Sequence, residues 1–425
     1  MKKKSIIVRA PVLSRSGYGE QARFALRALR AHEDEYDIHV FNINWGRTGW
    51  IYEESEEREW LDSLIAKTAI AQTKKELPQF DLSLQVTIPN EWERMAHKNI
   101  GYTAGIETTQ IALEWIEKSN MMDQIIVVSN HAKSGFETTS YDVTNSNTGE
   151  NITGYKCTTP VHVVNYPIRH FESEDMNLEL ETDFNFLCVS QWGPRKNLEN
   201  TVLWFCEEFQ NDEVGLILKV NQMNNSIIDF VQTQDRINSL ISQFPNRKCK
   251  IYFLHGDLSD EQMTYMYNHP KIKALISLAH GEGYGLPMFE AAYNGMPVIA
   301  PNWSGQNDFL YAPAYNKKKK KSFKKAHFAN VDYVLQPVQK EVVWKGVLVA
   351  DSMWCYPRKG NYKMKLRDVY KSHGQFKSLA KKLKTHLEKN FTAEQQYNKF
   401  IDVLKIGEVD NEEVDQMFNK LVVGE

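Results

Sequence analysis

The chain has 425 residues, 42% of them hydrophobic and 25% charged, with a formal net charge of −3. That length exceeds what one compact domain usually reaches and favours two domains of roughly 150 to 200 residues; the composition excludes general disorder, a fibrous chain and a uniformly basic nucleic-acid coat. Five scattered cysteines (Cys157, Cys188, Cys206, Cys249, Cys355), with no Cys-x-x-Cys pair, fit reduced thiols in a cytoplasmic protein rather than a disulfide frame or a zinc site.

The N-terminal lysines of Met1–Lys4 precede too short an apolar run for a signal peptide, so Ser5–Val8 reads as a first strand. No stretch reaches the roughly 20 apolar residues that span a bilayer, so no integral membrane segment is expected. Short apolar runs then alternate with helical patterns, the signature of parallel sheets built from βαβ units. Strands are expected at Asp37–Asn42, Asp81–Val86, Lys98–Thr103, Ile125–Ser129 and Val161–Val164, and helices at Glu20–Ala31, Trp60–Ala71 and Gln110–Ser119. The Thr- and Asn-rich stretch Tyr141–Thr159 reads as a hairpin excursion, and the acidic stretch His170–Asp183 as a domain boundary. A second unit restarts at the strand Phe184–Ser190 and continues through helix Leu198–Phe209, strand Leu216–Val220, helix Ile227–Gln243, strand Ile251–Leu254, helix Ser259–Tyr267, strand Ala274–Ser277, helix Pro287–Asn294 and strand Pro297–Ala300. From Phe376 onward the chain is charged and helical in composition. The expected division is 1–178, 179–390 and a helical segment 391–425 that returns toward the first domain.

The most informative run is His280-Gly281-Glu282-Gly283-Tyr284-Gly285-Leu286-Pro287-Met288-Phe289-Glu290, continuing through Gly295-Met296-Pro297-Val298-Ile299. It reads as a strand end, a glycine-rich loop, a helix and a buried strand, with Pro287 at the first helical position and Gly295 just past the end. The glycines allow a ligand close to the backbone, and the helix start turns its free N–H groups toward the same place. Glu282 and Glu290 would frame one ligand at different depths, as acceptors for vicinal sugar hydroxyls.

This run resembles the GT-B nucleotide-sugar glycosyltransferases, specifically the large retaining family 4, whose members carry two glutamates with seven residues between them in a Glu-Gly-Phe/Tyr-Gly-Leu-Pro context. The resemblance implies an α/β protein of two Rossmann-like, doubly wound parallel-sheet domains facing a central cleft, with C-terminal helices. It implies transfer of a sugar from a nucleotide-diphosphate donor to a hydroxyl acceptor with retention of configuration. Glu282 would then meet the sugar and Glu290 the ribose, with Gly283, Tyr284, Gly285 and Leu286 around the donor. In Gln191-Trp192-Gly193-Pro194-Arg195-Lys196, Lys196 matches the family's phosphate-binding lysine; the family arginine falls at Gln191, so Arg195 either replaces it or faces solvent. Ser304 and Gly305 occupy the family's pocket-closing turn, and Gly17 and Gly19 the loop that approaches the phosphates from the first domain. Glu107 and Thr103 are the acceptor-side candidates, Glu107 alternatively being a helix-start acid; His131 reads as a capping or core histidine.

No aspartate pair or His/Cys cluster has metal-ligand spacing, so no metal and no cofactor beyond the donor are expected. The run Lys317, Lys318, Lys319, Lys320, Lys321, Lys324 and Lys325 is either a solvated loop or a polyanion site near the cleft mouth, with Phe323, Tyr311, Tyr315 and Phe328 as stacking surfaces, or could equally touch an anionic membrane surface. The acceptor is a glycan, a lipid-linked sugar, hydroxymethylated DNA or another small molecule, DNA being expected of a phage or virus enzyme in its host's cytoplasm. Rival readings are a non-catalytic sugar or nucleic-acid binder, and a dinucleotide oxidoreductase, against which stands the lack of Gly-x-Gly-x-x-Gly after the first strand.

Overall fold

The computed structural model describes residues 3–144, 148–316 and 320–407. The expectations for Lys317, Lys318 and Lys319, and for the tail beyond 407, lie outside the described residues.

The first half holds β1 (Lys4–Ala10), α1 (Gly17–Arg30), β2 (Tyr36–Asn42), α2 (Glu56–Lys74), β3 (Leu82–Val86), β4 (Lys98–Thr103), α3 (Leu113–Ser119), β5 (Gln124–Val127), α4 (Asn130–Thr138), a hairpin β6 (Ser140–Thr144) and β7 (Asn151–Lys156), and β8 (Val161–Val163). Its main sheet is parallel, in the order β2-β1-β3-β4-β5-β8. The second half holds β9 (Asn185–Gln191), α5 (Leu198–Phe209), β10 (Gly215–Asn221), α6 (Ile227–Ile241), β11 (Lys250–Leu254), α7 (Asp260–Asn268), β12 (Ile272–Ile276), α8 (Leu286–Tyr293) and β13 (Val298–Pro301). Two hairpins interrupt the pattern: β14 (Tyr311–Asn316) with β15 (Lys321–Ala326), then, after β16 (Ala329–Val331), β17 (Tyr333–Pro337) with β18 (Met353–Pro357). Helices α9 (Lys359–Lys371), α10 (His373–Asn390) and α11 (Ala393–Lys405) close the chain. The second sheet is also parallel, in the order β11-β10-β9-β12-β13-β16.

Both orders reverse direction once, between β1 and β3 in the first sheet and between β9 and β12 in the second. At such a switch the adjoining loops diverge and leave a crevice at the carboxyl ends of the strands. Strand composition explains the layering: β13 and the apolar part of β5 are buried on both faces, as parallel strands between helical layers must be. Helix starts follow from side-chain caps. Ser16, Ser55, Ser129 and Ser226 each accept a backbone N–H of the first turn, and Ser259 and Thr392 form reciprocal capping boxes with Gln262 and Gln395.

Several ties join the halves. Residues 164–184 carry no helix or strand and run beside the return crossover, where Ile168 N–H donates to Phe391 O at 2.7 Å. Helix α11 lies on the first half, with Phe400 5.6 Å from the ring of Phe24 and 5.5 Å from that of Tyr102. The arm between β17 and β18 also reaches the first half, where Val347 joins the cluster around Trp92 and Trp115 and Gly346 O accepts from Asn90 Nδ2 at 2.8 Å. The sequence reading placed neither this arm nor α4, α9 and the β14–β15 hairpin as regular elements. Among the described residues no helix is long and apolar enough to cross a membrane.

Because Phe400 is fully buried between α1 and β4, Phe400→Ala should lower the unfolding free energy by about 3–5 kcal/mol. Denaturant titration checks this; an unchanged midpoint would mean that α11 does not dock there.

Candidate functional site

The loop after β12 does not stand open to a ligand on both sides. It lies backbone to backbone against the first half. A Cβ on Gly281 would sit 2.3 Å from Glu107 O, one on Gly283 2.6 Å from Ala104 O, and one on Gly305 2.0 Å from Gly283 O. Gly281 and Gly283, expected to admit a ligand, therefore admit the neighbouring lobe, and Gly305 admits the backbone of this loop. Hydrogen bonds fasten the seam: Ser129 Oγ donates to Gly283 O at 2.6 Å, and Asn130 N–H, Asn130 Nδ2 and Asn165 Nδ2 donate to Asp308 Oδ2 at 2.9, 3.0 and 3.0 Å. Gly285, at φ 96°, sits in the left-handed region that turns the chain into α8.

Glu282 is held between two cations. Arg195 Nη1 donates to its Oε2 at 2.9 Å and Lys196 Nζ to its Oε1 at 2.5 Å. Arg195 also donates to Gly281 O at 2.6 Å and pairs through Nη2 with Glu107 Oε1 at 3.2 Å, so it bridges the halves with its side chain half-buried. Burial pushes the Glu282 carboxyl up, but Lys196 and Arg195 outweigh it and hold the group below the ordinary carboxylate range. Its backbone is fixed as well: Glu282 N–H donates to Ser304 Oγ at 2.9 Å and Gly305 N–H to Glu282 O at 2.9 Å. Ser304 takes this place with φ at 75°, a strained backbone for a residue with a Cβ. Ser190, Lys196, Ser277, Glu282 and Met288 border a small cavity at the carboxyl ends of β9 and β12, the switch point of the second sheet.

Glu290 has a different setting. It accepts from Tyr267 Oη at 2.7 Å, with Asp260, Glu20 and Arg169 as charged neighbours. Burial pushes its carboxyl up to about 7, Asp260 and Glu20 adding to the rise. The two glutamates share no partner, yet each lies where residues of the first half come near.

The other expected residues divide. Leu286 packs partly buried at the helix start. Tyr284 departs from its donor-side expectation: it is buried in the core, its ring 5.0 Å from Tyr166 and 4.9 Å from Phe309. Thr103 departs too, being fully buried and bonded to Tyr18 Oη at 2.7 Å; it carries packing rather than an open acceptor face. Glu107 is the seam partner of Arg195 rather than a helix-start acid. Gly17 leaves open space around its Cα, whereas a Cβ on Gly19 would meet Ser14 O at 1.9 Å. His131 packs against Trp303, and burial holds it down at about 4, in line with a core histidine. Phe328 is buried and Tyr311 bonds Asn302, so neither is a stacking surface; Tyr315 and Phe323 are exposed.

Sequence reasoning missed Tyr267, Asp308, Arg15 and Arg169. Arg15 pairs with Asp257 at 3.4 Å, and Arg169 joins Glu20 (3.3 Å) to Asp260 (3.1 Å) across the same boundary. These partners lie far apart in the chain, and only Arg15, beside Gly17, had a local signal. Among the described residues no three His, Cys, Asp or Glu side chains converge as metal ligands.

No family model matches the chain. Over 115 residues it is 28% identical to the serotype-specific mannosyltransferase WbdA of Escherichia coli, a match covering 27% of this chain but only 13% of that protein. Solved structures are similar over nearly their whole length. Sucrose-phosphate synthase from Thermosynechococcus elongatus aligns with a TM-score of 0.58 at 12% identity, covering 100% of both chains. A glycosyltransferase from Rickettsia africae aligns at 0.56 and 12% identity over 96% of this chain and 100% of its own. Anabaena HepE, solved with UDP and glucose, aligns at 0.55 and 12% identity over 95% and 99%. With the two parallel six-stranded sheets, these likenesses establish the GT-B fold.

A carboxyl near 7 in the folded chain and near 4.5 unfolded keeps its proton longer when folded. Its stabilising effect is complete below pH 4.5, is lost as pH rises through 7, and does not return. Glu290→Gln keeps an acceptor for Tyr267 and removes that loss, so its melting temperature relative to the parent should rise between pH 5 and pH 8. A flat difference across that range would show that the carboxyl is not raised.

Proposed function

We propose that the chain is a retaining glycosyltransferase that uses a nucleotide-diphosphate sugar, with a glycan or a lipid-linked sugar as acceptor. The observation that carries this reading is the seam cluster of Glu282, Arg195 and Lys196, built within a Glu-x7-Glu run on a GT-B fold. The mannosyltransferase likeness and the nucleotide and sugar named for the Anabaena structure support the same class of donor.

The geometry suits an exchange of partners. A diphosphate entering at the switch point would take Lys196 and Arg195, the natural charge-assisted donors to phosphate. Glu282 would be released to accept from sugar hydroxyls, while Glu290 accepts from the ribose. As the bond from the anomeric carbon to the phosphate oxygen breaks, the two cations stabilise the charge left on the departing diphosphate. The acceptor oxygen bonds the anomeric carbon from the same face, and its proton passes to the leaving phosphate oxygen. No enzymic nucleophile is needed, which agrees with the buried, neutral setting of His131. A binder without turnover would need the same cations but no such path for the proton.

Nucleotide release from a panel of nucleotide sugars, measured with and without acceptor, tests the reading. Glu282→Ala and Lys196→Ala should each lower turnover by roughly 10²–10³, with donor-dependent thermal stabilisation weakened most in Lys196→Ala. Undiminished turnover in both variants would sink the assignment. We also expect turnover to persist in EDTA; its complete loss, restored by manganese or magnesium, would put a metal where Arg195 and Lys196 are assigned.

A further inference from the structure

Beyond the seam, charge gathers on one flank of the second half. Residues 311–316 and 320–326 together with helix α10 carry nine lysines, no arginine and one acid, Glu388, in a chain whose formal net charge is −3. The fold puts the two segments side by side, with β14 packed on α10. Lys320, Lys321, Lys324 and Lys325 on the hairpin and Lys381 and Lys382 on the helix are exposed, and none forms an ion pair among the described residues. His327, next to β15, is held below its ordinary value first by burial and then by Lys325 and Lys382, which places both rows around one side chain. On the same hairpin Tyr315 and Phe323 remain 60% and 49% exposed.

We infer that the β14–β15 hairpin and the adjoining face of α10 form a docking surface for an anionic lipid bilayer. Six unpaired cations held near one another repel, and a dense negative surface relieves that repulsion. The residue type favours lipid over nucleic acid. Lysine is a hydrated point charge suited to a diffuse negative sheet, whereas arginine's planar fork is the usual choice for individual phosphates and base edges, and arginine is missing from both segments. Tyr315 and Phe323 supply the amphipathic rings that settle at a headgroup boundary. The inference rests on this surface alone and stands or falls separately from the activity proposed above.

Co-sedimentation of the full chain with vesicles tests it. The protein should pellet with phosphatidylcholine vesicles containing phosphatidylglycerol, not with phosphatidylcholine alone, and raising the salt should release it. Lys381→Gln with Lys382→Gln, and Lys324→Gln with Lys325→Gln, should each weaken binding at least about tenfold, without changing the melting temperature or the donor-dependent thermal shift. Phe323→Ser should weaken binding to anionic vesicles in high salt more than in low salt. Equal pelleting with neutral vesicles, no pelleting with either, or full binding by the four-lysine variant would overturn the inference. Tighter binding to a DNA duplex than to anionic vesicles at the same salt would overturn it in favour of nucleic acid.

Discussion

The constraint on which the rest depends is the absence of side chains where the two lobes touch. At Gly281 and Gly283 the space a Cβ would need is already filled by carbonyl oxygens of the first half, and at Gly305 by that of Gly283 within the second half. Contact between backbones leaves no flexible group to yield, so the path of the loop after β12 is fixed against the loop after β4. Glu282 sits between two of these glycines, and its own N–H and C=O are bonded to Ser304 and Gly305. Its carboxylate is therefore positioned by main chain rather than by the packing of its side chain.

That placement sets the electrostatics. A carboxylate buried at a fixed point would be costly alone, and the offset comes from a short turn whose position is also fixed: His280 N–H donates to Arg195 O at 2.7 Å, and Asn197 turns the chain with φ at 54°. Buried ion pairs say little about net stability, but they fix position, because removing one partner strands the other. Eight residues on, Glu290 meets a tyrosine hydroxyl and two acids, and its titration moves the opposite way. One loop-helix unit thus keeps one carboxylate charged and the other poised near neutrality. Distant elements decide which is which: the β9–α5 turn for Glu282 and α7 for Glu290.

Much of this was legible because it is local. Pro287 and Gly295 bracket α8 as their backbone preferences require, and buried parallel strands such as β13 read as apolar runs. Helix α4 was not legible, since Asn130–Thr138 offers a glycine, one threonine and few apolar residues; its start depends on the cap by Ser129. The arm between β17 and β18 was hidden for another reason. Its anchor, Val347, is apolar because of Trp92 and Trp115, more than 200 residues away, and no periodicity records such a contact. The glycine-rich loop was read with the right residues and an incomplete cause, because a glycine that admits a ligand and one that admits a neighbouring backbone look alike in sequence.

The composition of the seam also limits what can bind there. Arg195 and Lys196 carry two positive charges, and Glu282 and Glu107 two negative ones, so the cluster is neutral as it stands. A diphosphate that takes both cations leaves two carboxylates in a poorly solvated place with no donors. The exchange becomes favourable only if the same ligand brings hydroxyl groups to at least one of them, since unpaired buried charge costs more than a buried hydrogen bond returns. Free diphosphate lacks the hydroxyls and a free sugar lacks the charge. The proposed exchange of partners therefore calls for a molecule joining the two on grounds of charge balance, before any contact with the base or with a particular sugar is considered.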